Sequence, residues 1–405
     1  MKKVYSILLL LVLWVGIISV PAQKNVGKTS TKDAQIEAKV NALLAKMTLA
    51  EKLGQLQQLD GDWGTGEARP EQLELARKGL LGSTLNVRGF KGANDLQKAA
   101  MESRLKIPVL LGFDVIHGYR TQFPVPLGES ASWDLEAIER AAHIAAKEAR
   151  ATGLHWTFAP MVDIARDPRW GRVVEGAGED TFLGSKIAFA RVRGFQGDDM
   201  SAEDRIMACA KHFAVHSGPE PTRHSDNFNP STYDLWDTYL PAFRELVVNA
   251  KVAGVMCAYN AINTQPCCAN DLLMNDILRN QWKFTGYVTS DCWAVDDFFR
   301  YHKTHKDATS SAIDALIHGT DVECGNSVYK TLLDAVKTGQ IKEEQLDVSL
   351  RRLFTIRFRL GMFDPNSMVK YAEAPMSLLE APDHKAHALK MAQQAIVLLR
   401  NENNT

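Results

Sequence analysis

Charged and polar side chains end a series of short apolar runs in this sequence. These residues are Asp60, Asn86, Asp114, Asp163, Lys211, His212, Tyr259, Asp291 and Glu323. Side chains of these types hold hydroxyl groups in fixed geometry, so the set suits a polyhydroxylated molecule such as a sugar. Glycoside hydrolysis needs two carboxyl-type groups, one an ionised nucleophile and the other a protonated acid with a raised pKa.

Asp291 is the strongest candidate for such a nucleophile. It follows the apolar run of residues 286–290, and a strand end holds a carboxylate rigidly. Neighbouring cations would keep that carboxylate ionised. Two tryptophans near the same strand ends, Trp170 and Trp293, are candidates either for stacking on a sugar face or for the core.

The polar residues stand at the ends of segments that alternate between two patterns. Short apolar runs typical of buried strands are followed by amphipathic stretches typical of helices, such as residues 135–151 and 236–250. This alternation predicts a parallel sheet with helical crossovers. Eight such units within about 280 residues predict an α/β fold of the (β/α)8 TIM-barrel type, whose strand ends face the active site.

Changes in composition divide the chain into four segments. Residues 1–22 combine two lysines, an uncharged apolar run and small residues, which predicts a signal peptide, with an uncleaved anchor as the alternative. Residues 23–365 are assigned to the barrel and 366–383 to a linker. Residues 384–405 contain a helical pattern and the apolar run 396–399, which predicts a buried strand and the start of a truncated second α/β domain. We therefore expect a periplasmic or secreted protein, free of the membrane after signal removal.

The composition argues against several other classes of protein. Of 405 residues, 47 are Lys or Arg and 48 are Asp or Glu, so the formal net charge is −1. This balance lacks the basic surface that sequence-independent nucleic-acid binding requires. The six cysteines show no paired metal-site spacing. Three of them lie inside apolar strand-like runs and are interpreted as small buried apolar residues. Cys267 and Cys268 lie in a loop, where a bridge that involves one of them is the alternative. No metal and no cofactor are predicted, and His212 and His216 are assigned to a pocket rather than to zinc.

Five segments, in order along the chain, resemble glycoside hydrolase family 3, the β-glucosidases and β-xylosidases. They are residues 112–118, 166–180, 211–213, 255–260 and 286–293. The resemblance extends from about Ile36 to the C-terminus. Residues up to Phe213 resemble the periplasmic β-glucosidases, whereas segments from His216 onward resemble the β-xylosidases. The choice between a glucoside and a xyloside therefore stays open.

The resemblance implies a role for each matching residue. Asp291 is implied to be the nucleophile of a retaining mechanism, acting on an oligosaccharide or small β-glycoside. The glycone is implied to be bound by Asp114, Arg172, Lys211, His212 and Tyr259, with Met256 lining the pocket. Trp293 is added as a substrate-binding residue. The family fold implies a barrel followed by an α/β sandwich domain, from which the general acid/base is expected.

Three alternatives compete with this interpretation. In the first, the chain is a non-catalytic, sugar-binding remnant of such an enzyme. Single-domain β-N-acetylhexosaminidases of the same family take their acid/base from a histidine on the loop after the Lys-His strand, a place that His224 occupies here. Lys211 at a barrel strand end also fits a Schiff-base lysine, as in aldolases. The sequence leaves a homodimer open.

Overall fold

The structure, a computed structural model, describes residues 31–364 and 374–402. The predicted signal peptide, residues 1–22, and residues 366–373 of the predicted linker lie outside the described residues. The described part is an α/β fold whose parallel strands form curled sheets, and this confirms the predicted class. Within it, no helix combines the length and the apolar character needed to cross a lipid bilayer.

Parallel pairing joins most of the strands in two curled sheets. The strands of the described chain are β1 (Gln57–Asp60), β2 (Ser83–Leu85), β3 (Leu110–Phe113), β4 (Trp156–Thr157), β5 (Cys209–Phe213), β6 (Asn227–Phe228), β7 (Gly254–Cys257), β8 (Ala261–Ile262), β9 (Gln265–Pro266), β10 (Tyr287–Ser290) and β11 (Glu323–Cys324). One sheet has the order β11-β1-β2-β3-β4 and the other the order β10-β7-β5. Their strands fall on the predicted apolar runs, and consecutive parallel strands are neighbours, as helical crossovers require.

Isolated parallel bridges connect the two sheets at both ends. Trp156 pairs with Met207 and Met161 with Lys211, which places β4 beside β5. Thr289 pairs with Val322, which places β10 beside β11. The carboxyl ends of the strands in both sheets therefore meet at one face of the molecule.

Helices alternate with these strands along the chain. They are α1 (Thr31–Leu44), α2 (Leu49–Gln55), α3 (Pro70–Arg77), α4 (Gly89–Met101), α5 (Pro126–Ser130), α6 (Leu135–Ala151), α7 (Thr181–Gln196), α8 (Thr232–Asp234), α9 (Pro241–Arg244), α10 (Asp297–Arg300), α11 (Ala308–Ile317), α12 (Leu332–Lys337), α13 (Glu343–Arg359) and α14 (Pro382–Gln394). The segments Leu235–Tyr239, Glu245–Asn249 and Leu272–Gln281 are π-helical. Helix α6 has the predicted bounds: Asp134 caps it by accepting a hydrogen bond from the Ala137 N–H, and its buried face includes Ile138 and Ala145.

A third, small sheet was not predicted. Strand β6 pairs in parallel with β8, and β8 pairs antiparallel with β9. These two-residue strands lie in the loops that follow β5 and β7. They are too short to show a periodic pattern, so sequence periodicity does not predict them. They tie the loop after the Lys211–His212 pair to the loop after Tyr259.

Two disulfides close loops near the strand ends. Cys257 is bonded to Cys268, and Cys292 to Cys324. The expected bridge from the Cys267–Cys268 pair is confirmed through Cys268. Cys209 is a buried free thiol, as expected of a cysteine in a strand-like run, and Cys267 is also buried and free. Cys257, which lies in another strand-like run, is bridged instead, because Cys268 comes within bonding distance of it in the fold.

The C-terminal segment matches its prediction only in part. The predicted helix over 384–395 is confirmed as α14, which packs against α6; the His387 ring lies 2.9 Å from the Ala137 carbonyl. The predicted buried strand over 396–399 is wrong. That segment has no regular secondary structure, and its four side chains are 56–92 % exposed. Its apolar residues face solvent because no neighbouring strand of the described chain pairs with them.

Glu148 of α6 anchors both the loop after β3 and α14. Its fully buried carboxylate accepts hydrogen bonds from the backbone N–H groups of Arg120, Thr121 and Glu380, at 2.8–2.9 Å. The Thr121 hydroxyl and His384 Nδ1 lie 2.7 and 2.8 Å from it. Burial alone raises the pKa of Glu148, but the hydrogen bonds from Thr121 and His384 outweigh burial and lower it.

Replacement of Glu148 is therefore expected to weaken the fold. Glu148→Gln sets an amide NH2 against these buried donors, so the free energy of unfolding falls by about 2–4 kcal/mol in urea denaturation at pH 7. Because the pKa of Glu148 is lowered in the fold, its carboxylate stabilises the folded protein at pH values above the ordinary Glu pKa. The difference in the free energy of unfolding between the parent and Glu148→Gln therefore becomes smaller as pH falls. The control is Glu136→Gln at an exposed position of the same helix. Equal stability of the two variants would contradict the anchoring role.

Candidate active site

A cavity of about 550 Å3 opens at the carboxyl ends of the strands. Seven of the predicted site residues line it: Asp114, Arg172, Lys211, Met256, Tyr259, Asp291 and Trp293. The eighth, His212, lies directly behind Asp291. These residues are up to about 180 positions apart in the sequence, and the parallel arrangement of their strands brings them together. Their individual roles stay predictions.

Asp291 is held by the backbone on both sides. Its own N–H donates to the carbonyl of Cys257 at the end of β7, at 3.2 Å. The N–H of Cys292 donates to Asp291 Oδ1 at 2.8 Å. Oδ2 lies 3.3 Å from His212 Nε2 and 3.7 Å from Arg172 Nη1. Neither contact is an aligned hydrogen bond, so Oδ2 remains able to accept a bond from a ligand in the cavity.

Acidic and basic groups alternate around this carboxylate. The Arg172 guanidinium donates two hydrogen bonds to Glu175, at 2.7 and 3.0 Å. Lys211 Nζ lies 3.9 Å from Glu175 and donates to Asp114 Oδ1 at 2.9 Å. The Lys211 side chain is almost fully buried, whereas Asp114 is exposed to the cavity. Each buried charge thus has an opposite charge beside it, as burial of charge requires.

Burial and neighbouring cations act in opposite directions on Asp291. Burial raises the pKa of its carboxyl, and Arg172 and Lys211 oppose that shift but do not cancel it, so the net shift is upward. For Arg172, burial by itself lowers the pKa, but Glu175 and Asp291 outweigh it, and the net shift is upward. Arg172 is therefore a permanent cation beside Asp291, and it favours the ionised carboxylate.

His212 is oriented by Asp163, which follows β4. The ring Nδ1 lies 2.6 Å from Asp163 Oδ2, and the His212 backbone N–H donates to Oδ1 at 3.1 Å. Both side chains are fully buried. Burial lowers the pKa of His212 well below its usual value, and Arg172 adds to this effect, so the imidazole is neutral. Burial also raises the pKa of Asp163. Asp163 thus fixes the ring with Nε2 directed at Asp291.

The remaining predicted residues form the walls. Tyr259 and Met256 are buried, and Tyr259 lies beside Asp291, where its hydroxyl lowers the pKa of that carboxyl. Trp293 is 47 % exposed and faces the cavity, which is compatible with stacking. Trp170 is 3 % exposed, with its ring edge-on to His216. Of the two interpretations, stacking on a sugar or packing in the core, the burial of Trp170 supports the core.

Comparison with known proteins decides the family. Residues 48–356 match the model described as the glycosyl hydrolase family 3 N terminal domain. The chain belongs to glycosyl hydrolase family 3. The family that the five sequence segments resemble is thereby confirmed.

Relatives of this family 3 chain include enzymes named for both sugars. It is 43 % identical over 306 residues to a xylan 1,4-beta-xylosidase of Xylanibacter ruminicola, covering 71 % of this chain and 35 % of that protein. It is 33 % identical over 376 residues to a periplasmic beta-glucosidase of Salmonella typhimurium, covering 91 % of this chain and 48 % of that one. A beta-glucosidase from Listeria innocua, solved in complex with glucose, superposes with a TM-score of 0.82 at 32 % identity and covers 91 % of this chain and 52 % of its own. The chain thus spans about half, or less, of the length of these relatives.

Sequence reasoning missed part of this family 3 site. Asp163 ends a strand in the sequence pattern, but no local signal predicts that it pairs with His212. Glu175 lies in the segment of residues 166–180, but its approach to Lys211 is not predicted either. Trp63, which lines the cavity, was not singled out at all. Its signal was an aromatic residue three positions after a strand-end aspartate.

His224 lies outside the residues that line the cavity but close to them. Its Nδ1 lies 2.8 Å from Asp297 Oδ2, and its ring centroid lies 4.3 Å from that of Tyr259. Asp297 is almost fully buried, and its pKa is raised by burial against the opposing effect of His224. The arrangement orients the imidazole next to a wall of the site.

Glu323 in β11 lies beneath the cavity and closes one of the loops that line it. It is fully buried, and its Oε2 accepts a hydrogen bond from the Tyr329 N–H at 2.9 Å. Gly325 and Asn326, which line the cavity, belong to the loop that this bond closes. Burial raises the pKa of Glu323 to about 7, with Asp296 adding to the shift and Tyr329 opposing it.

This raised pKa predicts a pH-dependent stability. Because the folded-state pKa of Glu323 is about 7 against an ordinary 4.5, its neutral form stabilises fully below 4.5, and that stabilisation is lost as pH rises through 7. Glu323→Gln stays uncharged, so its stability relative to the parent should rise by about 3 kcal/mol between these pH values. Urea denaturation across pH 4.5 to 8 measures it. Glu344→Gln, at an exposed position of α13, is the control; parallel pH profiles of parent and Glu323→Gln would refute the assignment.

Proposed function

We propose that this chain carries the glycone-binding and nucleophilic groups of a secreted retaining β-glycosidase, which releases terminal non-reducing β-D-glucose or β-D-xylose. The observation that carries the proposal is the position of Asp291. Its carboxylate stands in the cavity with Arg172 3.7 Å from Oδ2 and His212 3.3 Å from it. The names of the relatives, a β-xylosidase and a β-glucosidase, support both sugars as substrates.

The proposed reaction is a double displacement. Asp291 Oδ2 attacks the anomeric carbon, the bond to the leaving oxygen breaks, and that oxygen takes up a proton from the general acid, which we expect in the second α/β domain. A covalent glycosyl ester of Asp291 results. Water then gives a proton back to that general acid/base and attacks the same carbon, the ester bond breaks, and Asp291 is regenerated as a carboxylate. Configuration is retained because each step inverts it once.

The surrounding charges fit both binding and attack. Arg172 and Lys211 oppose the effect of burial on the pKa of Asp291, which favours the ionised nucleophile. Lys211 and the exposed Asp114 present a donor and an acceptor to the hydroxyl groups of the glycone. His212, fixed by Asp163, presents a neutral ring nitrogen. Met256 and Tyr259 supply the walls, and Trp293 supplies an aromatic face.

We also propose the finer architecture and location. Both sheets together form one (β/α)8 barrel within residues 23–365; the bridges from β4 to β5 and from β10 to β11 support it. Residues 366–383 form a linker, and residues 384–405 belong to a second α/β domain. A signal peptide over residues 1–22 directs the protein to the periplasm or outside the cell, as the name of the Salmonella relative suggests.

Loss of the nucleophile should abolish turnover. Asp291→Ala is expected to lower kcat by at least about 10³-fold on 2,4-dinitrophenyl β-D-xyloside and β-D-glucoside, because the glycosyl ester cannot form without the carboxylate. The dinitrophenolate departs without a proton, so the loss reports on the nucleophile and not on the general acid. Azide added to this variant should restore turnover by attacking the anomeric carbon from the vacated side, which gives the α-glycosyl azide. Asp237→Asn, at an exposed position of a π-helical segment, is the control.

The same measurements separate the enzyme from a sugar-binding remnant. Activity of Asp291→Ala within about tenfold of the parent would exclude Asp291 as the nucleophile. A parent chain that binds xylose or glucose in calorimetry but turns over neither activated glycoside would be the remnant. Retention or inversion is read by NMR from the anomer that first appears.

A second candidate function rests on the pair of His224 and Asp297. An imidazole oriented by a buried carboxylate is suited to general acid/base catalysis, and here it borders Tyr259. In that case the chain acts as a single-domain enzyme of the β-N-acetylhexosaminidase type. A dinitrophenyl β-N-acetylglucosaminide would then be turned over by the parent.

This candidate makes its own prediction. His224→Gln should lower kcat on an unactivated methyl glycoside by about 10²-fold or more, because its leaving oxygen needs a proton, and should change the first step on a dinitrophenyl glycoside by less than about threefold. His318→Gln, at a partly exposed helix end, is the control. Equal rates of the parent and His224→Gln on the methyl glycoside would exclude His224.

A further inference from the structure

We propose that a cleft on the helical outer layer of the molecule, apart from the strand-end cavity, binds a stretch of a neutral β-linked polysaccharide. The cleft lies between α7 and the helical residues 235–249 and has a volume of about 710 Å3. None of the residues that line it lines the strand-end cavity. The inference rests on the proposed function only for the kind of sugar, since the protein would bind the polymer whose chain ends it hydrolyses.

The two walls of the cleft are connected to each other. Lys186 of α7 forms an ion pair with Glu245 of the opposite wall, and its Nζ lies 3.1 Å from Oε1. Leu240 and Trp282 are buried and form the floor, where Trp282 packs against Phe213 with 5.9 Å between the ring centroids. The cleft is therefore formed without a ligand, and such preorganisation lowers the cost of binding.

Each wall exposes an aromatic ring. Phe182 on α7 is 73 % exposed, and Trp236 on the opposite wall is 38 % exposed. Lys186 Nζ lies 5.5 Å from the centroid of the Phe182 ring, a cation–π contact that favours one orientation of the ring. Large apolar rings that stay in water within polar surroundings mark binding surfaces, because a ligand that buries them removes apolar area from water.

Polar groups lie around and below these rings. Glu179 and Arg244 are exposed at the edge of the cleft, and Thr181 is half-buried. Trp282 Nε1 in the floor is buried and has no hydrogen-bond partner within residues 31–364 and 374–402. A buried donor without a partner is unfavourable, so the floor holds an unused donor for a ligand hydroxyl.

This combination fits a neutral sugar chain better than an anionic or a wholly apolar ligand. The acidic side chains of the cleft outnumber the basic ones, and Lys186 is already paired with Glu245, so a phosphate-bearing ligand would meet net negative charge. A lipid or an apolar peptide would leave the polar edge without partners. A pyranose has apolar C–H faces for the two rings and a rim of hydroxyls that donate and accept hydrogen bonds.

Binding at the cleft affects how polymers reach the strand-end cavity and not the chemical step. A polymer held on the protein raises the local concentration of its chain ends near that cavity. An aryl glycoside with a single sugar ring needs only the strand-end cavity, so its turnover does not depend on the cleft. Polymer binding and aryl glycoside turnover are therefore separable by mutation.

The test is affinity electrophoresis in native gels that contain soluble arabinoxylan or soluble mixed-linkage β-glucan. In an Asp291→Asn background, which prevents hydrolysis, at least one of the polymers is expected to retard the protein, and the polymer that does so identifies the backbone. Trp236→Ala and Phe182→Ala are each expected to raise the apparent Kd at least about fivefold, because each removes one aromatic face. The control is Trp133→Ala, which removes a tryptophan that is 72 % exposed and lines neither cavity.

Two further measurements separate the cleft from the strand-end site and from a folding defect. Asp114→Ala in the same background weakens the strand-end site and should leave the retardation unchanged, because a long polymer presents few chain ends. With Asp291 intact, Trp236→Ala and Phe182→Ala should unfold at the temperature of the parent and turn over dinitrophenyl glycosides within about twofold of its rate.

Three results would overturn the inference. They are no retardation of the background protein by either polymer, equal retardation of the background and both aromatic variants, and loss of retardation in Asp114→Ala. Failure of the proposed function gives a different result, since the parent would then turn over no dinitrophenyl glycoside while the electrophoresis still reports polymer binding.

Discussion

The burial of charge around Asp291 is the constraint on which the rest of the site depends. An isolated carboxylate or guanidinium at this depth costs several kcal/mol, and only an opposite charge in good geometry offsets that cost. Here the guanidinium of Arg172 stands between Glu175 and Asp291, and Lys211 stands between Glu175 and Asp114. Each of these charged side chains is held by its neighbours, so their arrangement does not depend on a bound ligand.

Such a network requires strands that end at one level. The parallel pairing of β5, β7 and β10 sets Lys211, Tyr259 and Asp291 at the same face, and bridges bring in the strands on either side. A disulfide and a hydrogen bond then connect the turn after Asp291 to β11. Cys292 is bonded to Cys324, and the Trp293 N–H donates to the Cys324 carbonyl at 2.8 Å. These bonds connect the nucleophile candidate to the cavity wall, so under the proposed function the surface that a sugar contacts is already formed.

The cavity is lined by charged groups near Asp291 and by aromatic side chains toward solvent. Near Asp291, buried polar groups suit fixed hydrogen bonds to hydroxyls, which are directional and discriminate strongly. Toward solvent, Trp63 and Trp293 expose aromatic faces to the cavity. The relatives include one named for xylosides and one named for glucosides.

Periodicity and strand ends are local features, so they were enough to predict the order of strands and helices and the residues that meet around Asp291. Helix α6 has its predicted bounds, and seven of the eight predicted residues line one cavity. Which side chains become partners depends on the tertiary fold. The pairing of Asp163 with His212 joins different strands, and the choice of Cys324 for Cys292 depends on distance in space. The exposure of residues 396–399 has the same origin: an apolar run predicts a buried strand, but burial needs a partner that no local pattern specifies.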